Sequence, residues 1–529
     1  MEKKGYSIKL DINHFKTSEF RAIRIFLQAF SLLLSLSLSL SLYISLSLCL
    51  DLSFSPSHST RLNSTRGNIQ KITNQAPGSW LLAPSIVIKV NTSSISPNPH
   101  PHMSKLTQVF LIGGLVRFLL PLLVPSIVPV LGSIVEITTP ITSFKALQEA
   151  FFFLNSSIDL YDGGVNHHPP LLVTVLSLVD AFPISNVWFH IIYSLTDLSI
   201  AWQLVQINKW YQLYTSKRTG KKITGFNDDL IASFYLFNPL ILLLNLSHST
   251  IVFTWLFVVS TIYQITVKKQ PARAMILLAI ASYLSLNSFY LLPAVLGLIH
   301  VTSRTQHTLG QIYVFNIGIY ICTIALLILI SFASTASWQF IDNCYLSVIL
   351  FKKITPNVGL WWYLFTEMFE FFTPFYIGMF NIYSFVFVVP LALRLFEYAK
   401  TPKLGDSFAV VVLTLLWISF TKSYPTIGEL GFALSFATIL RGSIIPHCKM
   451  IYITGMTLVV SLILSPIFYY CWIVLGNGNS NFFYSINLIW GGVHIMSIMD
   501  LLWAQLIGDY FVENNVSDDE KAKLQLAQL

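Results

Sequence analysis

The sequence predicts an all-α polytopic membrane protein with about ten to twelve transmembrane helices. Charged residues make up only 11% of the 529 residues and hydrophobic residues 54%, whereas soluble globular proteins carry about 25% charged residues. From Met103 onward, apolar runs follow one another, and each is close to the roughly 20 residues that cross a bilayer. Because so few charges cannot cover a water-exposed surface, we expect most of this chain to face lipid.

The first 102 residues differ from the rest of the chain. Ser and Leu alternate through residues 31–50, and residues 51–102 are polar and rich in Ser, Asn and Pro, without apolar periodicity. We expect residues 1–102 to be a low-complexity, disordered extension outside the functional protein, which would then start at Met103. The competing interpretation is a signal peptide or membrane anchor in residues 24–50.

Residues 103–510 are predicted to form the polytopic membrane domain. The predicted spans are 106–131, 187–207, 229–246, 250–267, 274–299, 312–334, 376–398, 407–421, 427–441, 449–474 and 482–507. Residues 170–184 form a shorter apolar run behind Pro169. We expect a re-entrant or interfacial helix there, because a full span would place the next basic cluster on the wrong side of the membrane.

Lysine and arginine clusters set the predicted orientation, because cytosolic loops carry an excess of these residues. The clusters assigned to the cytosol are 209–222, 268–273, 394–403 and 441–449, and the polar tail 511–529 is placed with them. The intervening loops are then lumenal, and they are 132–169, 335–375, 422–426 and 475–481.

The first lumenal loop combines an amphipathic helix with a tight turn. The apolar residues of segment 142–154 share a face, as in a helix lying on a membrane; they are Phe144, Leu147, Phe151 and Leu154. The turn that follows contains Gly163-Gly164 and His167-His168. Its histidines, with Asp159 and Asp162, either form a site near a lipid head group or belong to a structured turn that seats the next helix.

The second lumenal loop predicts an aromatic helix after a Pro356–Gly359 turn. Its aromatic residues recur at helical spacing and are Trp361, Phe365, Phe369 and Phe372, with Glu367 and Glu370 between them. Aromatic residues prefer the head-group level, and a carboxylate there is costly unless it is paired. The helix therefore indicates either a lipid head-group or partner contact, or an interfacial belt.

Two further lumenal segments carry polar residues. Lys422 stands near Tyr424 in a short connection, where a lysine opposes the charge bias; we expect a phosphate or one of the two glutamates as its partner, or a side chain that reaches water. The turn 476–481 contains Asn477, Asn479 and Asn481. These amides either cap the last helix or bind sugar and phosphate oxygens.

Several kinds of site are not expected. The five cysteines are scattered without a CxxC pair, so we expect no metal site, and Cys344 is expected to be a packed residue rather than a nucleophile. We expect no cofactor and no catalytic residue. Because the basic residues form short clusters instead of one continuous face, we also expect no nucleic-acid partner.

Four stretches resemble the PIG-U family, known in yeasts as the Gab-type subunit. They are ITTPITSFKALQEAFFFLNSSIDLYDGGVNHHPPLL at 137–172, TPNVGLWWYLFTEMFEFF at 355–372, KSYPTIGE at 422–429 and NSNFFYSINL at 479–488. The similarity runs in order from about residue 103 to about residue 510, and residues 1–102 have no counterpart in it.

The resemblance implies a non-catalytic, multi-pass subunit of GPI transamidase in the endoplasmic-reticulum membrane, with a helix layout similar to the GT-C lipid-linked mannosyltransferases. It implies that this chain binds the GPI glycolipid and presents it for attachment to precursor C-termini. The nucleophilic cysteine is then expected in a protease-like partner, and further partners are accessory membrane subunits and membrane lipids. The expected GPI-binding residues are Asn479 and Asn481, from the family's NSN turn, with Lys422, Tyr424, Trp361 and Glu367.

The alternative interpretation is an active GT-C-type glycosyltransferase that uses a lipid-linked sugar. Glu136, Asp159 and Asp162 are candidate bases for it, although the VEITTP segment around Glu136 lacks the paired acidic motif of such enzymes. A transporter would need charged groups at mid-membrane and repeated halves, and neither is expected from the sequence.

Overall fold

A computed structural model describes residues 104–302, 309–397, 404–514 and 516, and every regular element in these ranges is helical. The expectations for residues 1–102 and for most of the tail 511–529 lie outside the described residues. The α-helices are α1 Lys105–Leu123, α2 Ile127–Gly132, α3 Phe144–Asn155, α4 Pro170–Asp180, α5 Ser185–Thr219, α6 Asp228–Leu236, α7 Pro239–Leu246, α8 Ile251–Thr266, α9 Pro271–Leu284, α10 Leu292–Thr302, α11 Leu309–Thr335, α12 Ser347–Ile349, α13 Trp361–Glu367, α14 Thr373–Val386, α15 Val388–Arg394, α16 Ser407–Thr421, α17 Ile427–Ala437, α18 Ile451–Tyr469 and α19 Ser480–Glu513. Short 3-10 turns occupy Asp162–Gly164, Leu286–Leu291, Thr438–Gly442 and Ile445–His447, and π-turns occupy Ile341–Leu346 and Tyr470–Val474.

Local sequence signals explain where several helices begin. Ser143 caps α3 by accepting a hydrogen bond from the Ala146 amide at 3.4 Å. Asp406 caps α16 by accepting from two amides, at 2.9 and 3.0 Å. Thr426 and Glu429 form a capping box at the start of α17. These side chains satisfy amides that have no partner inside the helix.

The predicted polytopic membrane class is confirmed. Among the described residues, five helices can cross a membrane by length and composition: α1, Gly310–Thr335 of α11, Thr373–Arg394 across α14 and α15, Ile451–Val474, and α19. The pair α6 and α7, bent by 52°, can supply a sixth span. Five further apolar helices are shorter, so the expected total of ten to twelve stays a prediction. Among them, α4 has 11 residues, and at about 1.5 Å per residue it is shorter than the hydrocarbon core.

The backbone interrupts two further predicted spans. The span 106–131 divides into α1 and α2 around Pro125, which cannot donate a backbone hydrogen bond. The span 274–299 divides where Ser285 adopts an extended conformation, followed by a 3-10 turn and then α10.

The loops predicted to be lumenal meet at one end of the helical bundle. Lys353 donates from Nζ to the carbonyl oxygen of Gly164, and Tyr424 donates to the carbonyl oxygen of Lys353 at 2.8 Å. The Tyr363 hydroxyl, in the second loop, likewise donates to Asn481 Oδ1 in the fourth loop. We call this the lumenal end, following the charge prediction.

Three of the basic clusters predicted to be cytosolic meet at the opposite end. Tyr211 donates to Asp406 at 2.6 Å and shares a hydrogen bond with Ser443 at 2.7 Å. Arg218 lies 3.2 Å from Glu397 in an ion pair. Helices α16 and α19 connect the two ends in antiparallel directions, since residue 405 contacts residue 509 and residue 419 contacts residue 494.

A buried ion pair joins α1, α5 and α6. Arg117 Nε lies 2.6 Å from Asp197 Oδ2, and neither side chain is exposed. Arg117 also donates to the carbonyl oxygen of Leu236 at 2.8 Å, and Tyr235 donates to Asp197 at 3.0 Å. The pair is a buried charged contact that the expectations from the sequence did not include. The two charges neutralise each other between helices, so removing either one would leave an uncompensated buried charge.

The amphipathic helix of the first lumenal loop is confirmed as α3, but its apolar face does not lie on lipid. Phe144 and Phe151 are buried against Phe189 of α5, with ring centroids 5.3 and 6.1 Å away. Only Leu154, at the end of that face, is exposed. The same periodicity suits a lipid surface or a neighbouring helix, because both are apolar.

Candidate functional site

An aromatic cluster at the lumenal end brings three of the resembling stretches together. Its buried members are Phe351, Trp361, Trp362, Phe365, Ile377, Tyr424 and Phe483. Trp362 of α13 packs on Phe483 of α19 with ring centroids 5.8 Å apart, and Tyr424 packs on Phe351 at 4.9 Å. Aromatic packing at this density fixes α13 against the start of α19.

The Pro356–Gly359 turn fits between the 422–426 connection and α19. Asn357 donates to the carbonyl oxygen of Ser423 at 3.4 Å, and Asn487 of α19 donates to the carbonyl oxygen of Asn357 at 2.7 Å. A Cβ atom at Gly359 would lie 2.8 Å from the Pro425 ring, so only glycine permits this approach. Sequence reasoning missed the role of Asn487, although a lone amide within an apolar span is a signal for an interhelical hydrogen bond.

Lys422 has a partner that the sequence analysis did not select. Its Nζ donates to Glu429 Oε1 of α17, and both side chains are almost fully buried. The expected glutamate partners were Glu367 and Glu370. Both of those are exposed, whereas Glu429 stands seven residues after Lys422 at the start of the next helix. The pair borders a small cavity of about 40 Å³ that Thr254, Ser288 and Ser419 also line.

The asparagine turn presents its side chains to solvent. Asn479 is the N-cap residue of α19, yet its side chain makes no capping hydrogen bond, and it is exposed. Asn481 is exposed as well, and its Oδ1 accepts a hydrogen bond from the Tyr363 hydroxyl. The capping interpretation therefore does not describe the side chain of Asn479. Tyr363 was not selected from the sequence, because nothing local relates it to a turn 118 residues away.

The aromatic helix is shorter than its periodicity predicts. Helix α13 ends at Glu367, because Met368 is extended and α14 begins at Thr373 with Pro374 in its first turn. Phe369 and Phe372 consequently lie in the connection and are exposed instead of continuing the apolar face. Glu367 stands on α13 four residues after Tyr363, so the two side chains share one face of the helix.

The six expected binding residues divide into an exposed group and a buried group. Asn479, Asn481 and Glu367 are exposed. Trp361, Lys422 and Tyr424 are only 6%, 4% and 2% exposed, respectively. Trp361 and Tyr424 belong to the aromatic cluster, and Asn481 contacts Tyr363, which packs against that cluster. Glu367 lies at the end of α13 and Asn479 at the start of α19, and Lys422 stands two residues before Tyr424 in the 422–426 connection.

The His167-His168 turn is held by hydrogen bonds to two other segments of the chain. His167 Nδ1 lies 2.7 Å from the carbonyl oxygen of Asn343, and His168 Nε2 lies 3.0 Å from the carbonyl oxygen of Ser143. Burial lowers the pKa of His168 to about 4, so this ring is neutral at physiological pH. Of the two interpretations, this geometry favours a structured turn that seats α4, rather than a site near a lipid head group.

The carboxylates considered for glycosyl transfer have separate structural roles. Glu136 is buried and accepts a hydrogen bond from Ser465 at 2.7 Å, and burial raises its pKa. Asp159 and Asp162 are exposed and accept from backbone amides of their own turn. No observed geometry favours the glycosyltransferase alternative.

Comparison with known proteins identifies the family to which this arrangement belongs. A family model described as GPI transamidase subunit PIG-U matches residues 111–490. The chain belongs to the PIG-U family. The match includes all six expected binding residues, and it agrees with the resemblance carried by the four sequence stretches.

Relatives within the PIG-U family align over most of their length. The chain is 36% identical over 395 residues to the GPI transamidase component GAB1 of Saccharomyces cerevisiae, which covers 75% of this chain and 93% of the relative. It is 26% identical over 403 residues to the human GPI-anchor transamidase component PIGU, covering 72% and 89%. The GAB1 homolog of Schizosaccharomyces pombe is 27% identical over 388 residues, covering 72% and 88%.

Proposed function

We propose that this chain is the subunit of GPI transamidase that binds the GPI glycolipid at its lumenal end, in the endoplasmic-reticulum membrane. It presents the lipid for attachment to the C-termini of precursor proteins, and a protease-like subunit supplies the catalytic cysteine. The proposal rests on the family membership together with one observation. The side chains of Asn479 and Asn481 are exposed and do not cap the helix that they begin.

The chemistry of a GPI anchor suits this region. Such a lipid combines an apolar acyl-phosphatidylinositol body with a phosphorylated glycan that bears amines. Exposed amides can donate to phosphate and sugar oxygens, and the exposed carboxylate of Glu367 can accept from an ammonium group. The exposed apolar side chains of α14, among them Phe375 and Ile382, supply the lipid-facing surface beside them.

The expected binding residues with buried side chains support this surface from inside the fold. Trp361 and Tyr424 belong to the aromatic cluster, and the ammonium of Lys422 is engaged by Glu429. We therefore assign direct lipid contact to Asn479, Asn481 and Glu367. The other residues keep α13, the 422–426 connection and α19 in register.

Replacing both Asn479 and Asn481 with aspartate is expected to lower GPI recovery about fivefold to hundredfold, which corresponds to the roughly 1–3 kcal/mol of a lost buried hydrogen bond. Aspartate removes the amide donors and adds charges that repel phosphate. Folding is expected to be retained, because aspartate is favourable in the first turn of a helix. The measurement is the amount of labelled GPI lipid that copurifies with the assembled complex.

The matched control for this double variant is Asn477→Asp. Asn477 lies in the same exposed turn, so the substitution adds one negative charge there, against two in the double variant, without removing a proposed contact. An equal loss of lipid with Asn477→Asp would indicate general repulsion, and wild-type recovery with the double variant would contradict direct contact by these asparagines.

A variant of this chain without cysteine is expected to retain GPI attachment at normal protein level. Cys344 is buried, and its Sγ lies 3.3 Å from the carbonyl oxygen of His168. Burial raises the pKa of Cys344 to about 12, so the thiol stays protonated and is a poor nucleophile. The measurement is attachment of GPI to a reporter precursor in cells that depend on the variant. Loss of attachment with a normally assembled complex would contradict the assignment of the chemistry to another subunit.

A further inference from the structure

The contact between Tyr363 and Asn481 has a chemical consequence for the exposed turn. The Tyr363 hydroxyl donates to Asn481 Oδ1. A side-chain amide has one carbonyl acceptor and two N–H donors. Because Tyr363 engages one of the two lone pairs of that oxygen and thereby fixes its direction, the two N–H donors are the groups of Asn481 that stay wholly available to a ligand. Within the described ranges, no side chain or carbonyl accepts a hydrogen bond from this nitrogen.

Tyr363 is itself held in place by aromatic neighbours. Its ring stacks on Tyr484 with centroids 4.2 Å apart and an interplanar angle of 21°. The indole of Trp362 meets it edge-on at 5.6 Å. Tyr484 stands three residues after Asn481 on α19, so both lie on the face that Tyr363 covers. The tyrosine hydroxyl is therefore presented to Asn481 by a fixed ring.

We propose that Tyr363 is a positioning residue for lipid binding: by holding the carbonyl of Asn481, it directs the amide N–H donors of Asn481 toward an oxygen acceptor of the bound glycolipid. This inference rests on the function proposed above. An asparagine side chain without such a contact rotates between two orientations of similar energy. Only one of these orientations directs the N–H donors toward the ligand. The recognised group is an oxygen acceptor, from either a phosphate or a sugar.

The phenylalanine variant isolates the hydroxyl. Tyr363→Phe keeps the ring that stacks on Tyr484 and removes only the donor to Asn481. We expect it to lower the recovery of labelled GPI lipid with the purified complex about threefold to tenfold, as for one neutral hydrogen bond. Complex assembly and thermal stability are expected to remain close to those of the unsubstituted complex.

A double-mutant cycle tests whether Tyr363 acts through Asn481. Asn481→Ala is expected to lower lipid recovery by itself, and adding Tyr363→Phe to it is expected to cause no further loss. Equal losses from Tyr363→Phe with and without Asn481→Ala would overturn the positioning role, and so would wild-type recovery with Tyr363→Phe alone. If Asn481→Ala itself leaves recovery unchanged, the proposed contact by Asn481 fails first, and the two failures are thereby distinguished.

Tyr345→Phe is the matched control. Tyr345 donates to the carbonyl oxygen of Tyr283 at 2.8 Å, so its variant loses a comparable hydrogen bond away from the asparagine turn. We expect this control to retain lipid recovery, and a loss equal to that of Tyr363→Phe would contradict a specific role for Tyr363. Inorganic phosphate, added as a competitor, identifies the oxygen acceptor that Asn481 binds. Release of the labelled lipid that depends on Asn481 indicates a phosphate oxygen, and retention of the lipid indicates a sugar oxygen. Both outcomes support the proposal.

Discussion

Replacing Arg117 with leucine is expected to destabilise the folded chain by about 3–5 kcal/mol, the range found when one partner of a buried ion pair is removed. Asp197 would then remain buried between helices, with the Tyr235 hydroxyl as a neutral donor at 3.0 Å. The packing of α1 against both α5 and α6 would weaken, because Arg117 contacts Asp197 on α5 and Leu236 on α6. The measurement is the thermal midpoint and the monodisperse yield of the purified protein in mild detergent.

Two variants test whether the lost charge pairing is responsible. Arg117→Leu combined with Asp197→Leu leaves no unpaired charge, so we expect it to recover a large part of the stability. The exposed pair of Lys209 and Asp228 lies at 2.9 Å. Lys209→Met should change stability by less than about 1 kcal/mol, as is usual for exposed pairs. A single Arg117→Leu variant as stable as the Lys209 control would contradict the structural role of the buried pair.

Replacing Lys422 with methionine is expected to destabilise the chain by about 3 kcal/mol, at the lower end of the range for a broken buried pair. Glu429 would keep one stabilising contact, since its Oε2 accepts from the Thr426 amide at 3.2 Å. It also stands in the first turn of α17, where the helix dipole favours a negative charge. The measurements are thermal stability of the complex and recovery of labelled GPI lipid.

The double variant Lys422→Met with Glu429→Met separates an ion-pair role from direct lipid contact. If Lys422 only neutralises Glu429, the double variant recovers most of the lost stability, apart from the contact that Glu429 makes with the Thr426 amide, and it binds lipid as the unsubstituted complex does. Low lipid recovery in a double variant of normal stability would contradict the ion-pair role and would place the ammonium of Lys422 on the lipid.

Helix starts and membrane class follow from local sequence patterns. The Ser143 cap, the Asp406 cap and the Thr426–Glu429 capping box each act within three residues. Runs of apolar residues with few charges predict a membrane protein on composition alone. The asparagine turn and the aromatic motif were also visible in the sequence, because each is continuous along the chain.

The partners of individual polar side chains could not be predicted in the same way. The sequence offered Glu367 and Glu370 as partners of Lys422, whereas packing of α16 beside α17 brings Glu429 to it. Asn479 has the residue type of a helix cap, yet its side chain does not cap α19. In each case, residue type and spacing permitted several partners, and the arrangement of helices selected one.

Local patterns predict the all-α membrane class, the resemblance to the PIG-U family and the turn that carries Asn479 and Asn481. The packed fold adds three contacts that no local pattern indicates, and they join Phe144 to α5, Arg117 to Asp197 and Tyr363 to Asn481. Helix periodicity and caps act over only three or four residues, so they do not select partners elsewhere in the chain. An apolar face is equally compatible with lipid and with protein, so only the packed fold shows which of the two it meets.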